Sequence, residues 1–435
     1  MKTISADVRN KLYYDGLAVY SKALLYVKHK TMDITNMFSL APNDFTIESN
    51  SVIINGGYNF PIGNAISKSI KISLLNKATL FDDYDLDTAV IHLKSILYPD
   101  GLNGTPVELS EGIFYADDVE ILTHSIVITA YDGIGFLDSD CVVSNANPST
   151  HQKIYDTLWD YFVHLCDDIY PSMRGLPEAT GSNHYYAAHL ENEKAMYQLT
   201  FTLDAIETRN NDDTTLRDIL GYVAMISCGN IIMDGDGKID IVRYSLVNTQ
   251  YYNGMSFADT VNYIIEGGDL DGTSTGFTDD INGYTLGDEN VYVLDNYQAP
   301  PTIEYKDIRY NKVTIAYPRP NLSDGKASYS SGTVRDELSL YNPLCQKSDD
   351  NNYYVRGIAE NIVNRLGAIG KTIKPFTGSF PCNPLLEFAD NVIVCDINGT
   401  AYNSFVGEHT MNYLGTSEIS NHTPFINKDK NTNYS

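Results

Sequence analysis

The chain has 435 residues, 43% of them apolar, and a formal net charge of −26 at pH 7. Such a length accommodates several domains with buried cores. The acidic excess argues against nucleic-acid binding, which needs clustered Lys and Arg against phosphates. No run of about 18 apolar residues marks a membrane span. The opening MKTISADVRNKLYYDG has no apolar leader, so synthesis in a cytoplasm is expected.

The first 138 residues read as mostly β. Ile66, Ile70, Ile72 and Leu74 alternate with Ser67, Ser69, Lys71 and Ser73, and Lys68 breaks the pattern. Ala89, Ile91 and Leu93 repeat the alternation, as do Ile126, Ile128 and Ala130. Turn clusters at Asn55-Gly56-Gly57, Pro99-Asp100-Gly101 and Asn103-Gly104 separate them, a spacing that predicts a sandwich or barrel. Asp82 to Asp87 reads as an acidic loop. Next, Ile154, Leu158, Phe162, Leu165 and Ile169 form a helical stripe that Pro171 stops, within an α-rich connecting domain over 139–224.

Leu216, Ile219, Leu220 and Val223 predict a short amphipathic helix, with Thr215 and Asp218 spaced as a capping box. Two apolar strands follow, Ile231 to Met233 and Ile239 to Val242, around an Asp-Gly turn. Residues 248–300 are rich in Gly, Asp, Asn and Thr and read as a loop-rich insertion. Strand character returns over 301–317. Val355, Ile358, Ala359, Ile362, Val363 and Leu366 mark a second helix, with Gly367 read as its stop. Strands are expected at 391–396 and 402–406, and a polar tail at 421–435.

Candidate catalytic groups do not assemble in the sequence. Placing Asp234-Gly-Asp236-Gly-Lys-Ile-Asp240 in an EF-hand register puts Ile232 and Arg243 where the ligands Asp and Glu belong, which leaves a hairpin turn. His184 and His189 are one residue too far apart for a zinc-protease helix, despite Glu191 and Glu193 nearby. His164 and Cys166 point to different faces of one helix. The cysteines at 141, 166, 228, 345, 382 and 395 include no CxxC pair and read as buried reduced thiols. No nucleophile elbow, phosphate loop or dinucleotide fingerprint is present. The expectation is a protein without catalytic residues, cofactor or metal.

Three ordered blocks carry a resemblance. The first comprises SVIINGGYNFPIGNAISKSIKISLLN, EGIFYADDVEI and HSIVITAYDGIGFLD. The second is TLRDILGYVAMISCGNIIMDGDGKIDI. The third runs from YNPLC through VRGIAENIVNRLG to CNPLLEFADNVIVCDINGT. In order and spacing the chain resembles bacteriophage tail baseplate hub and tail-tip proteins, also found in phage-tail-like particles, over about 1–244 and 341–420. Ala389-Asp390-Asn391-Val392 stands where that family has Gly-Asp-x-Val.

The resemblance implies an α+β, β-rich fold. It comprises two tail-tube-like antiparallel β-barrels, at 1–138 and, segmented, at 225–420, plus a smaller α/β domain. It implies a homotrimeric virion protein at the tail tip that joins the six-fold tube to a three-fold spike or central fibre. The tail tube or distal tail protein and the tape-measure protein would be further partners. DNA would pass through during ejection without specific binding. The acidic excess has a plain reading as solubility and a functional one as a wall that repels DNA. Asp82, Asp83, Asp85, Asp87, Asp117, Asp118 and Glu120 are the candidates for lining that passage. The alternatives are a cell-wall-degrading tail hydrolase, which needs a catalytic constellation, and an acidic host-surface binding protein.

Overall fold

The computed structural model describes residues 2, 4–5, 8, 11–12, 19–27, 30–35, 44–47, 62–76, 81–82, 86–135, 216–226, 229–237, 239–243, 291–303, 310–317, 325–334, 336–342, 352–369, 374–412 and 415–421. The stripe at 154–169, His164, Cys166, His184, His189, Asn55-Gly56-Gly57 and most of 248–300 lie outside these residues.

The N-terminal part supplies β1 (Val19–Val27), β2 (Lys30–Asp33), β3 (Asp44–Ile47), β4 (Lys68–Leu75), β5 (Val90–Leu97), β6 (Val107–Ile121) and β7 (Ser125–Tyr131). The middle supplies α1 (Leu216–Ile226), β8 (Gly229–Met233) and β9 (Ile239–Arg243). Then come β10 (Val291–Leu294), β11 (Ala299–Ile303), β12 (Tyr310–Tyr317), β13 (Gly325–Ser330), β14 (Asp336–Tyr341) and α2 (Asn352–Ile369). The chain closes with β15 (Phe376–Pro381), β16 (Asn391–Cys395), β17 (Ala401–Phe405), β18 (Glu408–Asn412) and β19 (Thr416–Ser420).

The expected alternation is present in β4, β5 and β7. Ile70, Ile72 and Leu74, then Ile91 and Leu93, then Ile126, Ile128 and Ala130 are all buried on one side. These strands belong to an eleven-stranded sheet in the order β11-β15-β19-β18-β3-β4-β7-β6-β5-β1-β2. All its ladders are antiparallel. Strands from the two ends of the chain meet in it, because β3 pairs with β18 from Ile47 opposite His409 to Asp44 opposite Asn412. Among the described residues none of the sheets closes on itself.

β6 organises the N-terminal part. Its first half, Val107 to Tyr115, pairs with β5, and its second half, Tyr115 to Ile121, pairs with β7. Two bulges break its alternation. Glu111 is the extra residue between Ser110 and Gly112, and Asp117 the extra residue between Ala116 and Asp118. A bulge changes which side chains face inward beyond it. Residues 111–114 are consequently buried in succession, and Glu111 points into the molecule.

Three small sheets complete the fold. β10 runs parallel to β16, which pairs with β17; β12 lies between antiparallel β13 and parallel β14; β8 and β9 form the expected hairpin. α2 packs on β12 and β13 through the six apolar residues of its stripe, all buried. Gly367 does not end it; the helix runs on to Ile369. A helix interior tolerates one Gly at about 1 kcal/mol when the preceding turns are anchored in a core. The loop-rich region also ends earlier than expected, since 291–294 form β10 and 299–303 form β11.

Candidate functional site

The three sequence blocks meet at one junction. Gly63 has φ +76°, and its N–H donates to the Gly229 carbonyl at 2.9 Å. Asn64 and Ile231 continue that contact through the Ile231 N–H to the Asn64 carbonyl at 2.7 Å, and Ile66 N–H donates to Ile231 at 2.8 Å. α1 lies on this seam with Gly221 against the Gly63 backbone. A Cβ at Gly221 would fall well inside contact distance of the Gly63 carbonyl oxygen. Arg217 Nε donates to the Ala65 carbonyl at 2.7 Å. From the third block, Asn342 Nδ2 donates to the Tyr222 carbonyl at 2.9 Å. The DGDG turn is structural. The Asp236 N–H donates to Asp234 Oδ1 at 2.9 Å, and the Gly235 carbonyl accepts from Ser110 Oγ on β6 at 2.6 Å.

Beside this junction lies a cluster of buried charge that sequence reasoning did not find. Lys68, Glu111 and Asp132 are 3%, 2% and 1% exposed. Lys2 Nζ pairs with Glu111 Oε2, Ser95 Oγ donates to Glu111 Oε1 at 2.5 Å, and Lys68 Nζ approaches the Glu111 carbonyl at 3.4 Å. Asp132 accepts from Ser67 Oγ at 2.8 Å and from the N–H groups of Lys68 at 2.9 Å and Ile134 at 3.1 Å. Burial pushes the Lys68 ammonium below, and the Asp132 carboxyl above, its ordinary value. A buried charge persists only when paired and hydrogen-bonded, which is how these side chains are held.

The segment 382–391 covers the cluster from the C-terminal side. The Lys2 N–H donates to the Leu385 carbonyl at 3.1 Å. Glu387 is held below the usual carboxylate range against its own burial, with Lys68 and Lys2 among the charges that hold it. Its N–H donates to Asp390 Oδ2 at 2.7 Å. Burial pushes Asp390 up to about 6, and the Glu387 charge adds to the rise. Burial likewise lowers His409 to about 4 and raises the Cys382 thiol to about 12. Cys382 and Cys395 are buried free thiols, as expected; the other cysteines lie outside the described residues. Ala389, where the resemblance puts Gly, has φ +66°, a region that suits Gly and strains Ala.

The acidic candidates are placed as follows. Asp117, Asp118 and Glu120 are exposed on the second half of β6. Asp118 and Glu120 stand opposite Thr129 and Val127, on the sheet face away from the core. Asp87 is exposed on the 3-10 turn Leu86–Thr88, which packs against β6. Asp82 is exposed beside buried Phe81. Asp83 and Asp85 lie outside the described residues. At the other end of β6, Glu108 pairs with Lys22 at 2.8 Å and Lys94 at 3.7 Å. Among the described residues no three His, Cys, Asp or Glu side chains form a group that could hold a metal. No described helix is long and apolar enough to cross a membrane.

No protein-family model matches the sequence, and no curated protein does. Among solved structures, the chain is similar to a 43 kDa tail protein of prophage MuSo2 from Shewanella oneidensis. The identity is 13% and the TM-score 0.45, over 92% of this chain and 97% of that one. It is similar to a chain of the Francisella PdpA-VgrG complex at 10% identity and TM-score 0.37, over 94% of this chain and 58% of that one. It is also similar to a chain of the phage P2 baseplate in its activated conformation, at 10% identity and TM-score 0.28, over 93% of this chain and 99% of that one. The first and third of these neighbours are phage tail and baseplate proteins.

Proposed function

We propose that this chain is a structural protein of a phage-type tail tip, in which three copies form a hub between a six-fold tube and a three-fold spike or fibre. The observation that carries the reading is the junction at Gly63. Three blocks far apart in sequence, each resembling tail hub proteins, pack there on one another's backbone. In this reading β4 to β7 with β1 and β2 form the wall of the first tube-like barrel. The strands β11, β15, β18 and β19 belong to the second, and the β3–β18 ladder joins the two. Each trimer then presents six barrels around one passage.

The chemistry asked of such a hub is passive. DNA carries one negative charge per about 1.7 Å of duplex, so a basic wall would retain it. An acidic wall made by Asp87, Asp117, Asp118 and Glu120 keeps the duplex from adhering, at a cost screened beyond about 8–10 Å in physiological salt. The tube or distal tail protein, the tape-measure protein and the spike or fibre are the partners of this reading, in a virion assembled in the host cytoplasm.

Light scattering on the purified chain tests the assembly. The expected mass is three times 48.4 kDa; a monomer at assembly concentrations contradicts the hub. A cell-wall turbidity assay on the same sample separates hub from hydrolase. No clearing is expected, and clearing lost on Asp234→Asn or His184→Ala would replace the structural reading with an enzymatic one.

A further inference from the structure

β6 outgrows its neighbour. β5 pairs with it only as far as Tyr115, and the Ala89 carbonyl accepts from the Ala116 N–H at 2.9 Å. From Asp118 to Ile121, among the described residues, β6 is paired on one side only, by β7. The apolar side of the sheet is uncovered at the same end. Ile121 stands opposite Ile126, itself paired with Leu74, and both of those are buried; yet Ile121 is 70% exposed. Leu122, the next residue, is 50% exposed at the same tip. Hydrogen bonds close the turn at this tip. Asn76 Nδ2 donates to the Leu122 carbonyl at 2.8 Å, and the Leu122 N–H donates to the Ser125 carbonyl at 2.8 Å. An unpaired strand edge beside exposed apolar side chains is a template for another strand.

We propose that this end of β6 receives an extended segment of a partner protein whose side chains alternate apolar and basic. An added strand alternates its faces. Its apolar residues would lie beside Val119 and Ile121, continuing the core row. Its basic residues would lie beside Asp118 and Glu120, which share the opposite face. Main-chain hydrogen bonds to the open edge supply affinity, and the alternation sets the register. A second copy is a poor occupant of this edge. Paired with itself, the stretch brings Asp118 and Glu120 against their own kind, and like charges in cross-strand positions repel. The inference does not rest on the tail-tip reading, since any partner of this chemistry fits.

The test uses the full chain and three labelled peptides of about nine residues, the length of a long strand. One alternates lysine and valine, one holds the same residues in two blocks, and one alternates glutamate and valine. Fluorescence anisotropy should show the alternating lysine peptide binding about tenfold tighter than either control. Ile121→Ser, and separately Asp118→Lys with Glu120→Lys, should each weaken it about tenfold, with thermal melts unchanged. Equal binding of the block peptide would reduce the attraction to net charge and overturn the proposal. Absence of binding would do the same. So would self-association of the wild type that Ile121→Ser abolishes, which would make a second copy the occupant. The peptide-binding outcomes do not bear on the trimer mass, so the two readings fail separately; the self-association outcome alone also enters the mass, and Ile121→Ser separates it.

Discussion

In the middle of β6, Glu111 is buried and accepts from Lys2 and Ser95, with Lys68 against its carbonyl; six residues on, Asp117, Asp118 and Glu120 stand in water. One strand thus carries carboxylates with opposite fates. Side-chain chemistry does not separate them. The bulge at Glu111 turns its carboxylate inward, and the segment 382–391 then closes over it with Glu387 and Asp390. The bulge at Asp117 lies where the β5 ladder has ended, and the carboxylates of Asp117, Asp118 and Glu120 are exposed there. Backbone irregularity decides the direction, and the second layer decides the dielectric. The inner group specifies how the two ends of the chain fit together. The outer group shapes the field around the molecule.

The largest expected effect comes from unbalancing the inner group. Lys68→Met leaves Glu111 and Glu387 short of a cation in a dry site and should cost about 3–5 kcal/mol in urea unfolding. A loss under about 1 kcal/mol, typical of a surface pair, would mean that water reaches the cluster.

A pH-dependent effect comes next. The ordinary Asp390 value of 3.8 rises to about 6 in the folded protein, so folding favours its protonated form. Its contribution to stability is fully present below the ordinary value and is lost as pH rises through the folded one. Asp390→Asn stays uncharged and keeps an oxygen for the Glu387 N–H. The variant should gain on the wild type as pH rises from about 4 to about 6 and hold a constant advantage above about pH 7. A difference that does not change with pH across that window contradicts the assignment.

Ala389→Gly is a smaller step in the stabilising direction. It relieves the positive φ at the price of a more flexible unfolded chain, so a gain of about 1 kcal/mol or less is expected. A lower melting temperature would show that the Ala methyl packs well enough to outweigh the strain. The smallest effect belongs to the outer group. Asp118→Asn with Glu120→Gln should change stability by no more than about 0.5 kcal/mol. A larger loss would place these carboxylates in a structural network.

Periodicity made β4, β5, β7, α1, α2 and the β8–β9 hairpin legible, because each buries a regular apolar face. It missed β18 and β19, whose sequences are EHTMN and TSEIS. Their inward residues include His409 and Ser417, which bond each other at 2.9 Å. Such strands hold through partners distant in the chain rather than through their own apolar pattern. The ion cluster was hidden for a related reason. Residues 2, 68, 111, 132, 387 and 390 each read alone as a surface charge. One signal was available. Lys68 falls in phase with Ile66, Ile70 and Ile72, an inward position that a solvated lysine would not occupy. The bulges at Glu111 and Asp117 had no such signal, so the division of β6 into a buried and an exposed half came only from the ladder registers.

The central claim is that copies of this chain surround a passage with the outer carboxylates turned toward it. An electron cryo-microscopy map of the assembled protein at side-chain detail tests it most directly. The account predicts three copies around one axis, with Asp118 and Glu120 on the wall of an acidic passage. A single copy, or a ring whose wall is neutral or basic, would contradict it and return the charge of −26 to solubility alone.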